Sequence, residues 1–247
     1  MKLLVNFSIS VVTVVFNGRE EIAKTIKSVA LQDYRNIQHI IVDGGSTDGT
    51  QAVIGECAGK AVVYVSEPDW GIYDAMNKGV TLATGDFLLF MNCGDVFFDN
   101  TSVSSAMRFT EKKDGLILLG SWLRKASGKV VKHCSPDLER GIFNHQAVVY
   151  SRDIHSWHGG YMNVKGFTAA DYLFFSTLFN SPKVKCIPLD VTLAVIDVNG
   201  VSSGLQTFSQ KVAIDFLYGR IGRLNLVAML LIHPIYRKIK VQLGLGN

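Results

Sequence analysis

Five carboxylates in this chain stand where they could do chemistry. Asp43 opens the run Asp43-Gly44-Gly45-Ser46, and Asp95 closes Asn92-Cys93-Gly94-Asp95. Asp69 and Asp74 flank Trp70-Gly71-Ile72-Tyr73, and Asp171 stands in Ala169-Ala170-Asp171-Tyr172. A carboxylate beside free backbone amides, as at Asp43, can take hydrogen bonds from a nucleobase or a ribose. A carboxylate at the mouth of a buried strand, as at Asp95, can hold Mg2+ or Mn2+ against a diphosphate and neutralise charge on a leaving group. Asp171 could accept a proton if it were buried near a bound donor. Each has a plainer reading. Asp-Gly pairs make turns, Asp74 and Lys78 have the spacing of a helix ion pair, and Asp171 at a helix start is favoured by the dipole. His145 and Gln146 open a later apolar run, where a lone histidine is more often structural than functional.

The elements that would carry these residues follow from apolar periodicity. Ser8–Phe16 reads as a buried strand ending in Asn17-Gly18, with Asn17 as cap of the next helix and Glu20 and Glu21 in its first turn. Ile22, Ile26, Val29 and Ala30 share one helical face. His39–Val42 reads as a second strand, Thr47–Ile54 as a helix and Ala61–Val65 as a third strand. Ile72–Leu82 reads as a helix. Phe87–Met91 is a strand apolar at every residue, so both its faces should be covered. This alternation predicts an α/β fold with a mostly parallel central sheet and helices on both faces. In such sheets ligands bind beyond the carboxyl ends of the strands, where the three polar turns fall. Further on, Leu116–Trp122 and Lys129–Lys132 are expected to pair around Ser127-Gly128. His145–Tyr150 reads as a strand, Ala169–Phe179 as a helix, Val191–Val198 as a strand, and Phe208 onward as helical.

The order of these motifs resembles that of family 2 glycosyltransferases with the GT-A fold. The segments that carry the resemblance are ISVVTVVFNG (9–18), VDGGSTDGT (42–50), EPDWGIYDAMNKG (67–79), ATGDFLLFMNCGD (83–95) and NHQAVVY (144–150) with Asp171. GIYDAMNKG and the His-Gln pair look most like bacterial enzymes of exopolysaccharide and O-antigen synthesis, the colanic-acid type included. The resemblance implies an inverting transfer of a sugar from a nucleotide-sugar, UDP by default, to an acceptor hydroxyl, with a lipid-linked saccharide as the expected acceptor. It also implies roles. Asp171 is the catalytic base and Asp95 the ligand of Mg2+ or Mn2+. Phe16, Asn17, Asp43, Gly71, Asn77, Asn92 and Gly94 lie on the nucleotide and donor. Trp70, His145 and Gln146 lie near the acceptor or diphosphate. Trp70 and Tyr73 are expected walls of the sugar pocket, with core packing as the alternative for Tyr73. The chain departs from the family at its acidic signature, usually DxDD or close to it. Here Asn92 and Gly94 replace two carboxylates and only Asp95 stands.

Two other function classes compete. A nucleotidyltransferase of similar architecture would carry a glycine-rich basic loop after the first strand, and Phe16-Asn17-Gly18-Arg19 is a poor version of one. A non-catalytic nucleotide-sugar binder would explain the missing acids but not the retained Asp95 and Asp171. No GxGxxG follows the first strand, which disfavours a dinucleotide fold.

The remaining expectations come from composition. At 247 residues the chain fits one glycosyltransferase domain over 1–205 and a helical extension over 206–247. The net charge of +4 is uneven: Lys211, Arg220, Arg223, Arg237, Lys238 and Lys240 face a single acid, Asp215, after residue 210. Between Leu224 and Tyr236 there is no charged side chain. That stretch is shorter than the ~20 residues of a span, so the tail reads as a peripheral contact with a membrane or as a helix packed on protein, and not as a nucleic-acid surface. Cys57, Cys93, Cys134 and Cys186 form no CxxC pair. Reduced thiols in the cytoplasm are expected.

Overall fold

The computed structural model describes residues 7–59, 62–110, 114–126, 129–197 and 204–231. Ser127-Gly128 and the tail beyond 231 lie outside the described residues, as do Ala61 and Val198.

The first half alternates strand and helix as its periodicity requires. Strands β1 (Ile9–Val15), β2 (Ile37–Asp43), β3 (Val63–Ser66) and β4 (Phe87–Phe90) are joined through helices α1 (Ile22–Ala30), α2 (Thr50–Cys57) and α3 (Ile72–Leu82). They pair in parallel in the order β3-β2-β1-β4. The second half adds β5 (Val96–Phe97), α4 (Ser102–Met107), β6 (Leu116–Ala126), β7 (Lys129–Cys134), β8 (Val148–Ser151), α5 (Ile154–His158), α6 (Ala170–Phe179), β9 (Lys185–Asp197) and α7 (Leu205–Leu217). Here β8 lies antiparallel between β4 and β6, while β9 runs parallel to β6. The sheet continues as β4-β8-β6-β9-β5, with β7 on β6. The result is a mixed α/β fold in which β1 to β4 run parallel, as do β6 and β9, with β8 antiparallel between the two sets.

Helices cover both faces. On one, α3, α5 and α6 bury Met76, Ile154, Phe174 and Phe175 against Val12, Val14, Leu88, Phe90 and Tyr150. On the other, α1 and α4 bury Val29, Val103 and Met107 against Val11, Phe87, Leu89 and Val149. β4 thus sends Phe87 and Leu89 to one face and Leu88 and Phe90 to the other, as its unbroken apolar run requires. Helix α3 comes very close to β1: a Cβ on Gly79 would lie 2.3 Å from Cγ1 of Val12.

Three local expectations change. Asn17 does not cap α1. The capping position is Glu21, no acid lies in the first turn, and Asn17 instead adopts a left-handed φ of 50°. Its side chain turns back to the β2 loop, accepting from the Thr47 amide at 2.9 Å. The helix after β2 begins at Thr50 and not Thr47, because residues 44–49 are spent on a polar turn. His145 and Gln146 lie on a 3-10 turn, His145–Ala147, held by the Asn144 carboxamide, and the strand starts only at Val148.

Helix α7 docks on α6. Tyr172 donates to Asp215 at 2.6 Å, and Arg220 bridges Asp215 at 3.0 Å and Ser176 at 2.9 Å. Arg220 is therefore largely buried and pairs inside the protein. It is not the lipid-facing charge that its place in the basic tail suggests.

Candidate active site

The carboxyl ends of β1, β2 and β4 meet at one edge of the sheet. The β1 and β2 turns are knitted together, with the Asn17 amide on Ser46 Oγ at 2.7 Å and the Gly18 amide on Thr50 Oγ1 at 2.9 Å. Asp43 is fully buried. Its carboxylate accepts from the Ser46 amide, the Ser46 hydroxyl and the Ser66 hydroxyl, so it fixes the turn that a ligand would meet. Phe16 projects from this edge, 64% exposed.

The turn after β4 is braced from below. Thr25 of α1 donates its hydroxyl to the Asp95 carbonyl at 2.8 Å and accepts from the Gly94 amide at 3.0 Å. Gly94 has a φ of 97°, which a side chain would strain. Asp95 Oδ2 accepts from Gln146 Nε2 at 2.7 Å and Oδ1 from the Asp197 amide at 3.3 Å. Burial pushes its carboxyl up to about 6, against the pull of the Gln146 bond. Among the described residues no three acidic, histidine or cysteine side chains gather into a metal cluster. The donor set here is a single carboxylate, with open lone pairs on the weakly bonded Oδ1. It fits a hard cation that takes its other ligands from a diphosphate and water.

Asp171 reaches this edge from α6. Tyr73 of α3 donates to its Oδ1 at 2.8 Å, and His145 Nδ1 lies 2.8 Å from Oδ2. Burial alone would raise this carboxyl. The hydrogen bond from His145, with the Lys211 ammonium and the Tyr73 hydroxyl, reverses that and holds it well below the usual carboxylate range. His145 Nε2 lies 3.1 Å from Asn92 Nδ2. Asn92, Asp95, His145, Gln146 and Asp171 are thus brought together, with Asn17 and Asp43 on the neighbouring turns.

Other assigned residues have different partners. Trp70 is 88% exposed beside Gly71, whose amide donates to Asp69 at 2.8 Å. Asn77 spends both ends of its amide on the Tyr161 backbone, each at 2.8 Å. Sequence reasoning did not assign Tyr73 to Asp171, nor Thr25 and Asp197 to the Asp95 turn. Nothing in the spacing links α1 or the end of β9 to residue 95. Asp69 was noted but not placed; its carboxylate lies where a Cβ on Gly44 would be, within 2.4 Å.

Known proteins resemble this chain in sequence and in fold. The Glycosyl transferase family 2 profile matches residues 10–183. An uncharacterized glycosyltransferase of Mycobacterium tuberculosis is 30% identical over 207 residues, covering 79% of this chain and 77% of its own. A PGL/p-HBAD biosynthesis glycosyltransferase of Mycobacterium bovis is 28% identical over 192 residues, 75% of each chain. Among solved structures, S. aureus TarS 1-349 in complex with UDP superposes with a TM-score of 0.67 at 17% identity, covering 90% of this chain and 69% of that one. The mannosyltransferase PcManGT from Pyrobaculum calidifontis, in complex with GDP-Man and Mn2+, superposes at 0.69 and 17% identity, covering 91% and 70%.

Proposed function

Because the chain belongs to glycosyl transferase family 2, we propose that it moves one sugar from a nucleotide-sugar, a UDP-sugar by preference, to an acceptor hydroxyl, inverting the anomeric carbon. The observation that carries this reading is the place of Asp171: a buried carboxylate bonded to Tyr73 and joined through His145 to Asn92, in the turn after β4 where a diphosphate would lie. In the reaction the acceptor oxygen bonds to the anomeric carbon as the bond to the diphosphate oxygen breaks. The hydroxyl proton goes to Asp171 and the electron pair leaves with the nucleotide. General-base help of this kind is worth ~10²–10⁴-fold.

The nucleoside lies against Phe16, Asn17 and the Gly44–Ser46 backbone that Asp43 fixes. Asn92, Gly94 and Gly71 frame the donor, and Trp70, His145 and Gln146 border the acceptor side. Asp95 would hold Mg2+ or Mn2+, which when bound offsets negative charge on the leaving diphosphate. The acceptor is a lipid-linked saccharide of surface polysaccharide synthesis, met at the cytoplasmic face of a membrane. Support for that comes from residues 223–231, a helix on which Leu224, Val227 and Leu231 are exposed beside Arg223. None of the described helices is long and apolar enough to cross a membrane.

A screen of UDP- and GDP-sugars for binding and hydrolysis, with and without Mn2+, tests the core of this. Acceptor trials on lipid-linked saccharides follow. If no nucleotide-sugar binds or turns over, the proposal fails.

A further inference from the structure

Asp171 is one link in a polar chain drawn from four segments. Tyr73 comes from α3, Asp171 from α6, His145 from the 3-10 turn and Asn92 from the end of β4. An amide nitrogen only donates, so with Asn92 Nδ2 at 3.1 Å the His145 Nε2 must accept. The ring proton then sits on Nδ1 and is donated to Asp171 Oδ2. The other end of the Asn92 amide, Oδ1, is buried without a partner.

This arrangement separates two roles that a His–Asp pair can divide in either way. The lone pair of Nε2 already faces Asn92, so an acceptor hydroxyl could reach it only by displacing that amide. Each Asp171 oxygen has two lone-pair sites, and Tyr73 and His145 take one apiece. Asp171 therefore keeps room for an incoming proton and His145 does not.

We propose that His145, pinned by Asn92, is the positioning residue of the proton-accepting carboxylate: its Nδ1–H fixes the orientation of Asp171 and keeps it ionised, while the ring itself takes no proton from the acceptor. This rests on the reading of Asp171 as the base. The groups that face Asp171 are His145, the Tyr73 and Tyr161 phenols, and Lys211 from α7. Without His145 the burial of Asp171 is poorly opposed, and the carboxyl would take up a proton at a higher pH.

The test uses full-length protein and no substrate. Histidine labelled with 15N, read through two-bond proton–nitrogen couplings at pH 7.5, gives the tautomer, with His145→Asn assigning the signal. The expected signal has hydrogen on Nδ1, and Asp171→Asn should release it toward the Nε2–H form. Labelled aspartate carboxyl carbons are then followed from pH 8 to 5. The Asp171 signal should stay flat in the native protein and titrate within that window in His145→Ala. It should return toward flat in His145→Asn, whose amide nitrogen can stand in for Nδ1. If His145→Ala does not fold, the tautomer and His145→Asn still decide. A native His145 protonated on Nε2, or a flat Asp171 signal in folded His145→Ala, overturns the proposal. Turnover retained in Asp171→Asn would instead remove the base, and leaves the tautomer result standing.

Discussion

At the scale of single residues, the proposal divides the site between Asp171, which would take a proton, and Asp95, which would meet a charge. Asp171→Asn keeps the shape of the side chain and can still contact Tyr73, but it loses the basic oxygen. Nucleotide-sugar binding should stay near native and turnover should fall by at least ~100-fold, the lower end expected of a general base. A single-turnover assay beside a binding isotherm separates the two; near-native turnover would assign the base elsewhere. Asp95→Ala removes the single carboxylate of the Asn92–Asp95 turn. Calorimetry with UDP should then lose the increment that Mn2+ adds in the native protein, and an unchanged increment would take Asp95 off the metal. These two aspartates were legible in the sequence because each follows or opens a recognisable segment. Their partners were not. Tyr73, Thr25, Gln146 and Asp197 approach from 51 to 102 residues away, through tertiary packing that local spacing does not encode.

At the scale of elements, most of the fold could be read from periodicity. Helix α3 lies where its apolar spacing places it, and the parallel pairing of β1, β2, β3 and β4 follows from the connecting helices. The His145 turn was misread as strand because an apolar run does not reveal where its first hydrogen bond lies. Only the Asn144 cap, a local side-chain event, shortens the strand. The seat of α3 on β1 can be tested directly. Gly79→Ala would gain up to ~1 kcal/mol of helix propensity. It would also put a methyl against Val12 in the sheet core, and overpacking typically costs ~1–3 kcal/mol. The variant should therefore be less stable by urea denaturation, and Val12→Ala in the same chain should recover part of the loss. Additive effects of the two changes would show that helix and strand do not press on each other there.

At the scale of the whole molecule, acid sensitivity is built into the core. Burial holds His39 and His155 down at about 4, below the 6.5 of a free imidazole. As pH falls, the unfolded chain takes up these protons first, so stability is lost from about 6.5 down to about 4. Asp95, raised to about 6, works in the opposite direction over part of that range, and near pH 5 two histidines outweigh one carboxylate. The urea midpoint should drop between pH 7 and 5, and His39→Gln should flatten the slope; a level native profile would show that neither ring is buried neutral. The exposed apolar side chains of residues 223–231 give a second global test. Full-length protein should float with anionic liposomes, and a chain ending at residue 221 should remain folded and stay in solution. Unfolding of that shorter chain would make the segment part of the core. One bond described earlier bears on how the enzyme comes into being. The Asp197 amide reaches Asp95 across 102 residues. As the polypeptide leaves the ribosome, the parallel strands and their polar turns emerge first, yet Asp95 gains this partner only after β9 has slid between β6 and β5. A nascent chain stalled before residue 185 would carry all three polar strand-end turns and still lack this bond, so activity should appear late in synthesis and all at once.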